Sequence, residues 1–152
     1  MDAATAFDAD ADQQAIAESV RERLFARDQA AQHLGLQVTA IGPDSATVTM
    51  TVRPHMLNGH ATCHGGLIAT LADTAFAYAC NAGNKMTVAA GFAIELLAPA
   101  RLGDVLTATA TVLSRGRRTG VYDVDVRNGQ QQRIAAFRGR SHAIAGRPSV
   151  PD

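Results

Sequence analysis

The chain lacks a field of either charge: 14 basic and 14 acidic residues cancel. Such a balance offers no extended basic surface to nucleic acid and no basic amphipathic stretch to a membrane. A membrane-spanning run is missing as well. The longest uncharged segment is punctuated by Asn, His, Gly and Thr, unlike a spanning helix. Cysteine is scarce. Cys63 and Cys80 alone cannot make a disulfide framework, and they suit a reducing compartment. The opening residues MDAATAFDAD are acidic where a secretory signal is basic, which predicts a cytoplasmic protein. No repeat or linker divides the chain, and 152 residues suffice for one domain with its own core.

What is present is one dominant stretch, HMLNGHATCHGGLIATLADTAFAYACNA, from His55 to Ala82. Between Arg53 and Lys85 its sole formally charged side chain is Asp73. Leu67, Leu71, Ala75 and Ala79 recur at four-residue spacing, flanked by Ile68, Ala72 and Phe76. This predicts a helix that is apolar almost all round and therefore buried, entered at Gly65-Gly66. A carboxylate on such a helix costs free energy unless it is paired, hydrogen-bonded or protonated. Asp73 needs a reason to be there.

Around this helix the rest follows in order. Residues 1–11, rich in Ala and Asp, are expected to be disordered. A helix capped by Asp12, with Ile16, Val20 and Leu24 along one side, is expected to run towards Ala30. A hairpin is predicted from Leu36-Val38-Ala40 and Ala46–Val52, turning at Gly42-Pro43-Asp44-Ser45 and ended by Pro54. Beyond the helix, Gly83-Asn84 breaks the pattern, and four strands are expected at 87–98, 105–114, 120–127 and 132–144. Alternation such as Thr107, Thr109, Thr111 against Ala108, Ala110, Val112 gives one dry face and one polar face, or a face towards another subunit. Residues 12–145 read as one α+β domain, an antiparallel sheet of five to six strands packed on a long central helix, with an N-terminal helix in addition. Residues 146–152 read as a flexible tail.

Three features of the central stretch could do chemistry together. Asp73 in apolar surroundings has its acidity biased towards that of a working base. Gly65-Gly66 at the helix start offers amides that the helix does not use, suited to the oxygen of a carbonyl under attack. The loop just ahead carries Asn58, His60 and His64. Base, amide donors and a positioning amide or imidazole are the parts needed for water to attack an acyl group. Plainer readings stand beside these: Asp73 exposed or paired with a distant Arg, and Asn58-Gly59 as a simple turn. His55, His60 and His64 have no paired metal-ligand spacing, and no metal is expected. Cys63 beside His64 reads as a small buried filler rather than a nucleophile. Arg115, Arg117 and Arg118 gather at one strand turn, with Arg138 and Arg140 further on, either for phosphate or as solvated charge.

The run LNGHATCHGGLIATLADTAFAYACN closely resembles the signature of the phenylacetic-acid degradation (PaaI-like) thioesterases of hotdog fold. ARDQAAQHLGL, LAPARLGDVLTATA, RTGVYDVDV and FRGRSHAI extend the likeness over roughly residues 26–144. The resemblance implies a coenzyme A (CoA) thioester hydrolase whose sheet wraps the central helix. It implies a homodimer with one continuous sheet and active sites between subunits, paired again into a homotetramer. By motif match Asp73 is the catalytic carboxylate, activating water or attacking directly, and the Gly65 amide polarises the thioester carbonyl. Asn58 and His64 would shape the site. Gly66 and the turn of Arg117, Arg118, Thr119 and Gly120 would lie against the substrate, the turn at its nucleotide end.

The implied substrate is phenylacetyl-CoA or a ring-hydroxylated form, with CoA part of the substrate and no separate cofactor. One departure is visible: Ala89 and Ala90 stand where some related enzymes carry a hydroxyl. Two other readings remain, a hotdog hydratase or dehydratase using His64 and Asp73, and a non-catalytic acyl-CoA binding module.

Overall fold

A computed structural model describes residues 3–151. Helix α1 runs Ala3–Phe25, beginning well ahead of Asp12, so residues 3–11 are helical where disorder was expected. Alanine, the strongest helix former, recurs at 3, 4, 6, 9 and 11 and sustains the extra turns. Met1 and Asp2 lie outside the described residues. The helix ends short of Ala30 because Asp28 starts a new one. Its carboxylate accepts the Ala31 N–H at 3.0 Å and caps α2 (Gln29–Leu34), which Gly35 closes in the left-handed conformation, φ 68°.

Strands β1 (Gln37–Gly42) and β2 (Ser45–Thr51) form the expected hairpin, and a 3-10 turn at Pro54–Met56 opens the loop to the central helix, α3 (Gly65–Asn81). Then come β3 (Thr87–Leu96), β4 (Val105–Arg115), β5 (Thr119–Arg127) and β6 (Arg133–Ala143). All six strands join one antiparallel sheet in the order β1-β2-β4-β5-β6-β3.

The core lies between α3 and the sheet. Ile68, Leu71, Ala72, Ala75, Phe76 and Ala79 of α3 are buried, as are Ala46, Val48 and Met50 of β2 and Leu106, Ala108 and Ala110 of β4. Small residues on both sides let the helix come close to the sheet. Phe76 marks the tightest point: its ring lies 5.6 Å from Tyr122 and 5.8 Å from Phe137. A Cβ on Gly139 would come within 2.8 Å of that ring, so only glycine admits Phe76 there.

The outer face of the sheet is polar, with threonines on β2 and β4 and ion pairs on β5 and β6. Arg138 grips Asp123 with two hydrogen bonds, of 2.6 and 2.8 Å. Asp125 sits between Arg127 and Arg133. These solvent-screened pairs set surface character more than stability.

The two sheet edges differ. α1 covers β1, with Gln14 donating to the Ile41 carbonyl at 2.8 Å and Arg21 to that of Val38 at 3.4 Å. Among the described residues nothing pairs with the outer edge of β3, and Phe92 and Leu96 on it are 48% and 53% exposed. A long, apolar, unprotected edge strand invites pairing.

The tail is docked rather than loose. Val150 is 1% exposed, its N–H bonds Asn84 Oδ1 at 2.9 Å, and the Ser149 hydroxyl donates to Asn81 Oδ1. The buried Asn81 supplies what a reading of the tail alone could not show, a partner for it.

Candidate active site

The loop ahead of α3 is held by its backbone. Cys63 N–H bonds the Ala100 carbonyl and His64 N–H that of Met56, each at 2.8 Å. Asn58 acts as the loop's internal brace. Its Oδ1 accepts from the amides of His60 (2.9 Å) and Thr62 (3.3 Å), and its Nδ2 donates to the Thr62 hydroxyl. Both polar ends of this side chain are thus engaged inside the loop. Cys63 is buried, and burial pushes its thiol above the ordinary value, so it rests as a neutral filler. His55 and His60 are exposed, and among the described residues no three metal-binding side chains converge.

His64 is the N-cap of α3, with its Nδ1 accepting the Gly66 N–H at 3.0 Å. That bond takes the Gly66 amide and leaves the amide of Gly65, the first residue of the helix, without an intrahelical acceptor. Gly65 lies on a cleft of about 290 Å³ with Asn58, Ile68, Leu96, Leu97 and Pro99. The Leu96 side chain reaches over it: a Cβ on Gly65 would sit 2.6 Å from Leu96 Cδ1.

Asp73 stands two turns further along. It falls on the least buried stripe of α3, with Gly66, Thr70, Ala77 and Cys80 at spacings of three and four, so the helix is not apolar on every side. Among the described residues its Oδ1 is buried and has no hydrogen-bond partner. The nearest hydroxyls on the helix give no help, since Thr70 bonds the Gly66 carbonyl and Thr74 that of Thr70. Desolvation accordingly holds the carboxyl above the ordinary Asp value. An orphaned, half-buried carboxylate with raised proton affinity is disposed to act as a base.

The β4–β5 turn forms a second cavity, of about 250 Å³, lined by Arg117, Arg118 and Thr119 together with Lys85 and Cys80. Arg115 is spent on Asp44 at 2.7 Å, an acceptor it shares with the Tyr122 hydroxyl. Among the described residues Lys85, Arg117 and Arg118 have no carboxylate partner. Gly120 is buried against Ser141 and the Tyr122 ring, where a Cβ would come within 2.8 and 2.9 Å, so it shapes the turn from below. Ala89 pairs with Ser141 across β3 and β6. Lys85 and Leu96 were not evident from sequence, since only the pairing of β3 with β6 and the packing of α3 bring them to these cavities.

The thioesterase superfamily model matches residues 60–135, from the loop through the central helix into β6. The chain belongs to the thioesterase superfamily. This thioesterase is 49% identical over 123 residues to the acyl-coenzyme A thioesterase PaaI of Escherichia coli, covering 81% of this chain and 88% of that one. The solved structure of E. coli PaaI, from the phenylacetic acid degradation operon, superposes with a TM-score of 0.86 at 46% identity, over 88% of this chain and 97% of that one. The hotdog fold is thereby shown. A Streptococcus mutans protein solved with bound acetyl-CoA matches with a TM-score of 0.71 at 27% identity, over 74% of this chain and 90% of that one. Among the described residues no helix is long and apolar enough to cross a membrane.

Proposed function

We propose that this thioesterase hydrolyses aryl-acyl-CoA thioesters, of the phenylacetyl-CoA or hydroxyphenylacetyl-CoA kind, to the free acid and CoA. The kinship with an acyl-CoA thioesterase supports the reaction class, and the orphaned Oδ1 of Asp73 carries the site. Asp73 takes a proton from water as the hydroxide adds to the thioester carbon. The oxyanion that forms is held by the Gly65 N–H at the positive end of α3. The C–S bond then breaks, and the CoA thiolate leaves and is protonated. Direct attack by the carboxylate is the competing route, with water opening the resulting anhydride. Water is the only co-reactant, and CoA enters as part of the substrate.

Helix geometry constrains where this happens. Gly65 and Asp73 are eight residues apart on one helix, roughly 12 Å along its axis. That span is too long for both to meet one carbonyl, which fits what the family resemblance implies, Asp73 of one subunit paired with Gly65 of a second copy. The bare β3 edge is the natural seam for such a homodimer, with pairing of dimers into a homotetramer beyond it. Lys85, Arg117 and Arg118 are suited to the phosphates of the nucleotide. The free thiols Cys63 and Cys80 fit a reducing, cytoplasmic setting.

The test is thiol release from phenylacetyl-CoA by the wild-type protein and by Asp73→Asn. Turnover should fall by about 10³-fold or more, as expected for loss of a base, with substrate still bound. Turnover retained in the variant would reject the role of Asp73.

A further inference from the structure

α3 and β3 run side by side in opposite directions. At one end Asn81 exchanges two hydrogen bonds with Thr87, at 2.8 and 2.9 Å; at the other, Leu96 lies over Gly65. Counting from that second end, Asp73 is eight helical residues along, roughly 12 Å. Phe92 is four strand residues back from Leu96, roughly 13 Å. The two are level. Phe92 also pairs with Gly139, the residue on which Phe76 packs, and Phe76 is one turn beyond Asp73.

Phe92 is not a core residue. Its ring lies 4.8 Å from that of Phe137 at 31°, a tilted contact at the edge of the aromatic cluster, yet it is 48% exposed. Leu96, on the same face of β3, is 53% exposed beside Gly65. The strand thus presents two apolar side chains towards the helix, one level with the carboxylate and one at the amide. An aromatic ring anchored on one face and open on the other is a surface on which a second flat ring can stack.

We infer that Phe92, backed by Phe137, is the specificity-determining residue for the aryl part of the acyl group in the site of its own Asp73, with Leu96 of the second copy, which lies over that copy's Gly65, setting the width of the slot at the carbonyl end. The inference rests on the proposed thioesterase reading and adds which side chain selects the acyl group. Phe92 binds the ring and takes no part in the chemical step. Truncating it costs aromatic substrates more than straight-chain ones, because an alkyl chain has no ring to stack.

The experiment compares kcat/KM for phenylacetyl-CoA and hexanoyl-CoA in wild type, Phe92→Leu and Phe92→Tyr. Both substrates are assayed on the same preparation, so the aryl-to-alkyl ratio is independent of how much of a variant folds or assembles. In Phe92→Leu the ratio should fall by about five- to tenfold, the scale of one aromatic pair. In Phe92→Tyr, which keeps the ring, it should stay within about twofold of wild type. An unchanged ratio in Phe92→Leu, or an equal fall in Phe92→Tyr, overturns the inference while the thioesterase reading stands. A role in subunit packing alone gives the unchanged ratio. Wild-type protein that releases no thiol from either substrate overturns the thioesterase reading itself, and this inference with it.

Discussion

His64 Nδ1 accepts the Gly66 amide at 3.0 Å, which places the ring hydrogen on Nε2. The same side chain therefore closes the N-terminus of α3 and keeps its N–H donor, on Nε2, free of the cap. Cap and donor separate by mutation. His64→Ala should lower stability by about 1 kcal/mol through loss of the cap. His64→Asn, with a good capping oxygen but no Nε2–H, should regain the melting temperature and leave turnover low. Recovery of turnover along with stability would reduce His64 to a cap.

Asp73 should make the enzyme less stable than it need be. Its carboxyl is held above the ordinary value of 3.8 by desolvation. In the pH window above 3.8 the folded chain therefore binds a proton that the unfolded chain has released, and stability falls as pH rises through the raised native pKa. Asp73→Asn removes this slope. Urea denaturation at fixed protein concentration should find the variant the more stable at pH 7, with the gap closing towards pH 4. A gap independent of pH would mean that the carboxylate is solvated.

Arg117 and Arg118 should act on binding of the nucleotide and leave the chemical step alone. Together, Arg117→Ala and Arg118→Ala should raise KM for phenylacetyl-CoA about tenfold, in the range of one charge-assisted hydrogen bond. The phenylacetyl thioester of N-acetylcysteamine, which has no phosphates, should be hydrolysed as before. Equal losses on both substrates would place the turn in the fold rather than in CoA recognition.

The tail should matter to stability. Ending the chain after Ala145 exposes the site of Val150, worth about 1.5 kcal/mol or more, and removes the Ser149 and Val150 hydrogen bonds to Asn81 and Asn84. Ser149→Ala alone should cost about 1 kcal/mol. Thermal unfolding of both variants reads this directly, and an unshifted midpoint in the shortened chain would show the docking to be dispensable.

Some of this architecture was legible along the chain because it depends on local periodicity. Leu67, Leu71, Ala75 and Ala79 mark a helix by spacing, and Thr107 to Val112 mark a strand by alternation. Asp73 stood out because a lone charge among apolar neighbours has few explanations. Where expectation failed, a distant partner or a competing cap was responsible. The tail from Gly146 has no pattern of its own and is ordered by Asn81 and Asn84, more than sixty residues away. The helix expected to reach Ala30 is cut because the Asp28 carboxylate prefers the Ala31 amide to a place inside a helix.

The sequence by itself determined the helix, its solitary acid and the glycines at its entry, since each follows from residue type at a fixed spacing. Tertiary structure alone decided which hydrogen-bonding groups are spent on distant partners: Arg115 and Tyr122 on Asp44, Ser149 on Asn81. It also laid Leu96 over Gly65 and, among the described residues, left the outer edge of β3 unpaired. The physical reason is that periodicity reports which way a side chain faces, whereas partners are chosen by proximity in three dimensions, between residues that the chain itself keeps far apart.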